Sequence, residues 1–330
     1  MKKSIYVFSN GTIKRDENTI SIENENFKKF IPIENTSEIY LFGEVTFNTK
    51  LLNYLSEKGI IVHYFNYYGY YSGSIYPRIH LSSGAVILNQ AKYCLDVLKR
   101  IELARLIEIG SADNILSNLK YYKNRDRDLN ENIEKIIKLR SDFDDQQDIN
   151  SLMLVEANMR EIYYSAFNKI INNTDFPFER RTKRPPQNNL NSLISFVNSM
   201  IYTTVLSEIY KTHMDPRIGY LHETNFRRFT LNLDISEIFK PIIGDRIIFK
   251  LLNEKILNTN NFHKIENMVS INDTGRKRII EELDNKLSTT ISYPGIAHKV
   301  SYKRLIRLEI YKLEKHVLGD KIYEPYKSNW

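Results

Sequence analysis

The chain is poor in sulfur and has no long apolar run. Cys94 is its only cysteine, which excludes an internal disulfide and any zinc site built from several thiolates. That usage fits a reducing compartment. Nowhere do about 18 apolar residues run uninterrupted, so no membrane span is expected. The opening MKKSIYVFSNG is broken at Ser9-Asn10-Gly11, too early for a secretory core. The expectation is a soluble, cytoplasmic protein that does not engage a membrane. The sequence also lacks an internal repeat, a contiguous metal-binding loop and an evident nucleophilic side chain.

What is present suits a globular chain with room for two domains. Of its 330 residues 42% are hydrophobic and 12% aromatic, enough to bury a core. Lys and Arg number 47 against 40 Asp and Glu, a formal surplus of +7. A surplus of that size is compatible with a polyanionic partner without requiring one.

Up to Pro77 the pattern is β. Segments 4–9, 18–23, 37–43 and 60–66 are short, rich in Ile, Val, Tyr and Phe, and separated by turn residues. Asn10-Gly11 predicts a hairpin turn. The stretch NTKLLNYLSEKG predicts one helix closed by Gly59, and the tyrosine tract over 64–77 predicts a half-buried hairpin. From Asn89 the periodicity is helical: 91–110 carries apolar residues at i, i+3 and i+4, with Gly110 as its stop. Helices are predicted again over 113–122, 130–141, 148–171, 189–212, 234–257, 274–287 and 301–318. Segments 142–148 and 172–188 read as exposed connections, the second holding Pro177, Pro185 and Pro186. The fold expected is α+β: a small N-terminal β domain over 1–80 and a larger all-α domain over 81–330.

Scattered acids and one histidine are the candidates for chemistry. Glu156 lies beside a stripe of Met153, Leu154, Ala157 and Ile162, with Arg160 one turn later. The pair reads either as a surface ion pair or as the start of a site. His222 follows Asp215-Pro216 and Gly219, a rigid turn that gathers the next side chains; a lone histidine is also a common packed residue. Asp234 and Glu237 share a helical face if LNLDISEIF is helical, although Asp234 equally suits an N-cap. Two carboxylates and an imidazole are a workable set for a divalent metal. Two basic clusters, Arg180, Arg181, Lys183 and Arg184 before Pro185-Pro186, and Lys299, Lys303, Arg304, Arg307, Lys312 and Lys315 near the C-terminus, suit either phosphates or solvent.

Four ordered motifs carry a resemblance. A helix reads E-x-x-x-R-x-x-Y-Y through Glu156, Arg160, Tyr163 and Tyr164. Arg184-Pro185-Pro186 leads to Asn191-Ser192-Leu193-Ile194-Ser195-Phe196, then come Asp215-Pro216 to Gly219-Tyr220-Leu221-His222, and Leu233-Asp234 through Glu237 to Lys240-Pro241. In this order they resemble the CRISPR-associated spacer-acquisition integrases and endonucleases, the "Cas-one" family, over nearly the whole chain. The departures are Ala157 where glycine is common, Lys240 where arginine is common, and Asn188 and Asn189 in place of an acid.

The resemblance implies a β-sandwich-like dimerisation domain and an α-helical catalytic domain, with Glu156, His222 and Glu237 as ligands for Mn2+ or Mg2+ and Asp234 as their acidic neighbour. It further implies homodimers bridged by a dimer of the second adaptation protein, "Cas-two". The substrates would be DNA, as captured fragment and CRISPR repeat; the contacts expected to hold it come from the basic clusters rather than from the resemblance, and are Arg180, Arg181, Lys183, Arg184, Arg304 and Arg307, with Asn191. Fragments would be inserted as new spacers by 3′-hydroxyl transesterification. The rival readings are a purely hydrolytic metal nuclease of branched or structured nucleic acid, and a catalytically dead DNA-binding scaffold, which would have no use for the triad.

Overall fold

The computed structural model describes residues 2–78, 81, 83–223 and 229–328. The chain divides into two compact units, Met1–Leu81 and Ser82–Trp330. The boundary expected after residue 80 falls beside residues outside the described set.

The first unit contains β1 (Lys3–Val7), β2 (Gly11–Asp16), β3 (Thr19–Glu23), β4 (Lys28–Ile31), β5 (Thr36–Leu41), β6 (Val45–Thr46), α1 (Thr49–Glu57), β7 (Ile61–Phe65) and β8 (Tyr71–Ile75). Two four-stranded sheets form, in the orders β1-β5-β7-β8 and β4-β3-β2-β6. Both contribute to one core of β-branched and aliphatic side chains, including Val7, Ile13, Ile20, Ile39 and Val62, to which α1 adds Leu51, Tyr54 and Leu55. Asn48 caps α1 by accepting from the Leu51 amide, and the tyrosine tract forms the antiparallel β7–β8 hairpin. Asn10-Gly11 is not a hairpin turn. β1 pairs in parallel with β5, β2 pairs with β3 and β6, and Asn10 Oδ1 accepts from the Glu44 amide at 2.9 Å. The turn carries the chain from one sheet into the other.

The second unit is mostly helical: α2 (Gly84–Leu95), α3 (Val97–Lys123), α4 (Asn130–Asp142), α5 (Ile149–Ser165), α6 (Phe167–Ile170), α7 (Asn189–Ile209), α8 (Leu231–Phe239), a π-turn over Lys240–Asp245, and α9 (Arg246–Asn253). The hairpin of β9 (Phe262–Ile265) and β10 (Met268–Ile271) follows, then α10 (Asp273–Ser288), the hairpin of β11 (Thr290–Tyr293) and β12 (Ile296–Ser301), and α11 (Tyr302–Val317). The two hairpins are additions to the expected all-helical unit. The long helices α3 and α7 both pack against α8, so every residue of α8 except Leu233 is buried. Among the described residues no helix is long and apolar enough to cross a membrane.

Three local expectations need correction. Gly110 does not end a helix; α3 runs through it, and a Cβ there would lie 2.5 Å from Pro325 Cβ, so glycine serves the packing of the C-terminal segment. The break falls earlier, at Asp96, whose carboxylate accepts from the Leu98 and Lys99 amides and starts α3. Segment 142–148 is anchored rather than loose, because Phe143 is fully buried.

Candidate metal centre

The centre is built on α8 and on the turn that precedes it. That turn is fastened from α2 by Gln90, whose amide donates to the carbonyls of Asp215 at 2.8 Å and Ile218 at 2.7 Å and accepts from the Asp215 amide at 2.9 Å. Arg100 on α3 adds a bond to the Tyr220 carbonyl at 2.8 Å.

Asp234 is not the N-cap of α8. Thr230 stands there, accepting from the Gly219 amide at 2.8 Å. Asp234 instead closes the preceding turn, accepting from the amides of Tyr220 at 2.6 Å, Leu221 at 3.1 Å and His222 at 3.0 Å, and from His222 Nδ1 at 2.8 Å. A Cβ on residue 219 would meet Asp234 Oδ2 at 2.7 Å, which is why glycine is required there. Because Nδ1–H donates to the carboxylate and keeps its proton, Nε2 is the lone-pair nitrogen of the neutral ring.

Glu237 lies one turn further along α8, buried between two cations. Arg160 Nη2 donates to one of its oxygens and Lys240 Nζ to the other. The same guanidinium reaches Glu156 Oε1 from Nε at 3.2 Å and Ser111 on α3 from Nη2 at 3.1 Å. Glu156 and Glu237, from two helices, therefore share one arginine. The Glu156–Arg160 pair is not the surface pair that spacing alone allowed, since only 8% of Arg160 is exposed. The stripe expected on α5 is displaced as well: Leu154 faces solvent, and Leu152, Met159 and Tyr163 are buried.

Charge organises the site. Burial alone would raise the Glu237 carboxyl, but Lys240, Arg160 and His222 outweigh it and hold it at about 2. Burial would lower the His222 imidazole, yet the hydrogen bond and charge of Asp234, with Glu237 behind, lift it above its ordinary value. Lys240 is likewise lifted, its burial overcome by Glu237. Among the described residues no three His, Cys, Asp or Glu side chains are gathered closely enough to hold a metal ion as they stand. Glu156 and Glu237 are turned onto cations, with His222 near enough to feel the charge of Glu237.

Two buried acids and a lysine escaped the sequence reading. Glu108 on α3 is wholly buried with no hydrogen-bond partner for either oxygen among the described residues. Burial, then Glu156 and Glu237, raise its carboxyl far above the ordinary range. Its position among Leu103, Ala104, Ile107, Ala112 and Ile115, all buried, was the available signal: a carboxylate inside an apolar stripe. Asp245 in the π-turn is pushed up to about 6 by burial, against Arg160, Tyr163 and Lys240. The lysine is Lys240, of which the sequence shows only that it stands where arginine is common.

The basic candidates separate into different roles. Arg180, Lys183 and Arg184 are exposed. Although Lys183 is exposed as a residue, partial desolvation of its ammonium, with Arg181 and Lys240, holds it below its usual value, and it feels Glu156 and Glu237 in the opposite sense, which places this connection beside the acids. Arg181 and Asn191 fasten the connection to α7. Asn191 is fully buried; its Oδ1 accepts from Arg181 Nη1 at 3.0 Å and the Thr182 amide at 3.1 Å, and its Nδ2 donates to the Arg180 carbonyl at 2.8 Å. Arg181 Nη2 reaches Ser195 at 2.9 Å. On α11, Arg307 Nη2 is paired with the buried Glu208 of α7 at 2.6 Å, whereas Arg304 is exposed.

These features define a two-unit α+β protein whose helical unit holds a half-buried to buried acid–histidine set beside a cationic connection. The chain belongs to the family described as CRISPR associated protein Cas1, whose model matches residues 5–285. It is 50% identical to the CRISPR-associated endonuclease Cas1 2 of Thermodesulfovibrio yellowstonii over 330 residues, the full length of both. A solved Cas1 protein of Thermotoga maritima superposes with a TM-score of 0.88 at 42% identity, over 98% of this chain and 100% of that one. A casposase bound to its integration product has the same fold, with a TM-score of 0.88 at 17% identity over 99% and 94% of the two chains.

Proposed function

We propose that this protein is a metal-dependent DNA endonuclease and integrase of CRISPR adaptation. The 3′-hydroxyl oxygen of a captured DNA fragment attacks a phosphodiester at the edge of the CRISPR repeat. One phosphorus–oxygen bond forms as another breaks, and the released 3′-oxygen of the repeat takes up a proton. The observation that carries this reading is an imidazole oriented by Asp234, which lies on the same helix as a Glu237 that shares one guanidinium with Glu156. His222 Nε2, Glu156 and Glu237 would hold Mn2+ or Mg2+, since mixed nitrogen and carboxylate donors suit those ions. When bound, such an ion orients the attacking oxygen and stabilises the negative charge that develops on phosphate.

The chain's own residues supply the rest. Asp234 sets the imidazole's tautomer and direction, Arg160 holds Glu156 and Glu237 together, and Arg180, Lys183 and Arg184 offer phosphate contacts beside the acids. The working assembly is a homodimer formed through the β unit, with two dimers bridged by the second adaptation protein.

Strand joining tests the reading. Purified protein, a labelled 3′-hydroxyl fragment and a supercoiled repeat-bearing plasmid, with Mn2+ or Mg2+ and the second adaptation protein, should yield joined product. Cleavage without joining would make the protein a hydrolytic nuclease instead.

DNA binding should depend steeply on salt. Reversing the charge of the exposed pair, Arg180→Glu with Arg184→Glu, should weaken all DNA sequences about equally and lower the slope of log K against log salt by about 1.8, at about 0.9 per lost phosphate contact. A slope equal to wild type would make this cluster a solvated face.

Acidity gives a second readout. An imidazolium has no lone pair for a metal, so Mn2+ affinity should fall as pH drops through a midpoint above that of an ordinary histidine. Asp234→Asn removes the main lift on His222 and should move that midpoint downward, as Mn2+ titrations across pH would show. A midpoint unmoved by Asp234→Asn would detach the pH response from His222.

A further inference from the structure

We infer that Arg160 and Lys240 couple metal binding to phosphate binding, so that the site takes a divalent ion tightly only when a DNA phosphate arrives with it. The inference rests on the metal-site reading above and deepens it. Both oxygens of Glu237 are already occupied by cations, and Glu156 is held by the Nε of the same arginine. Arg160 and Lys240 are buried like the acid between them, with 8% and 7% of their surfaces exposed. They therefore cannot exchange Glu237 for water at little cost.

A divalent ion entering this set meets carboxylates whose charge is already balanced. It must share or displace their hydrogen-bond donors and brings two positive charges into a buried site. On its own that step is opposed. A phosphate oxyanion changes the balance by supplying negative charge and new acceptors for the released donors. One donor is already available: Arg160 Nη1 is buried without a hydrogen-bond partner among the described residues. Lys240 also has a second partner in place, since its ammonium already lies 4.9 Å from the centre of the Tyr202 ring, a contact it can keep when it releases its carboxylate. The two cations thus act as positioning residues. They hold Glu156 and Glu237 ready without metal and yield them when the substrate's charge compensates.

Linkage makes the idea measurable, because two ligands that favour one another do so by the same factor in both directions. Mn2+ binding is followed by the electron paramagnetic resonance of the free ion, using full-length protein alone and with saturating duplex DNA whose 3′ ends lack the hydroxyl. For wild type the DNA should tighten Mn2+ by about tenfold or more, and Mn2+ should tighten DNA equally. Lys240→Met keeps the side chain's length and removes its charge. It should bind Mn2+ more tightly than wild type without DNA, and DNA should add less. Lys240→Arg should restore wild-type behaviour. A purely structural role would weaken Mn2+ binding with and without DNA alike.

An Mn2+ affinity of wild type unchanged by DNA overturns the coupling and needs no variant. Folded Lys240→Met protein with unchanged or weakened Mn2+ binding overturns the assignment to Lys240. His222→Ala separates the two layers. If it leaves Mn2+ binding intact, the ion sits elsewhere, and the metal reading and the coupling fall together. If it abolishes Mn2+ binding while DNA has no effect on wild type, only the coupling falls.

Discussion

Glu237→Ala is expected to abolish metal-dependent joining and cleavage, a loss of about 10³-fold or more, in the range seen when a group that stabilises transition-state charge is removed. The substitution takes away one proposed metal ligand and leaves Arg160 and Lys240 with no acid between them, so the site loses a donor and gains repulsion. Asp234→Asn should be milder, about 10- to 100-fold, because that residue acts through His222 rather than on the metal. The amide oxygen still accepts from backbone amides of the 220–222 turn, but it no longer offers a charged acceptor to Nδ1. Joining rates at saturating Mn2+ in proteins with wild-type helical content decide the matter. If Asp234→Asn is the more damaging of the two, the roles of these acids on α8 must be exchanged.

The contrast between Asp234 and Glu237 shows where a linear sequence speaks and where it falls silent. Their spacing of three residues was enough to put both on one helix face, and α8 does carry them. It could not say that Asp234 turns back to the 219–222 segment, because that contact depends on Gln90 and Arg100 arriving from other helices. The two units and most helices were legible because their apolar periodicities are long. The path of the β unit was not: Asn10-Gly11 has the chemistry of a hairpin turn, but the strands it joins find partners in separate sheets. Local turn preference yields there to a core shared by both sheets. The bonds of Arg181 and Asn191 within the connection were hidden for a related reason. Sequence reveals a cation or an amide but not its burial, and these two spend their polar groups on holding the connection itself. Glu108 was the reverse case, an acid whose apolar surroundings in the sequence already marked it.

Arg160 is the residue whose loss should cost the fold most. Arg160→Met leaves a similar volume and no charge, so Glu237 retains Lys240 alone and Glu156 loses its partner. Breaking one side of a buried pair costs about 3–5 kcal/mol, and thermal unfolding in metal-free buffer at neutral pH should reveal it as a large drop in Tm. Neutralising the acid in the same background removes the uncompensated charge. The double variant Arg160→Met with Glu237→Gln should therefore be more stable than the sum of the two single losses by about 1–3 kcal/mol. Acid titration provides an independent check. The Glu237 carboxyl sits at about 2 in the folded protein against 4.5 for the free side chain. Its share of stability should be present in full above pH 4.5 and fade as pH falls toward 2, because the unfolded chain takes up the proton first. In Glu237→Gln that part of the acid limb should vanish. Additive single losses, or an acid limb identical in both proteins, would mean that Arg160 and Glu237 are neighbours without being partners.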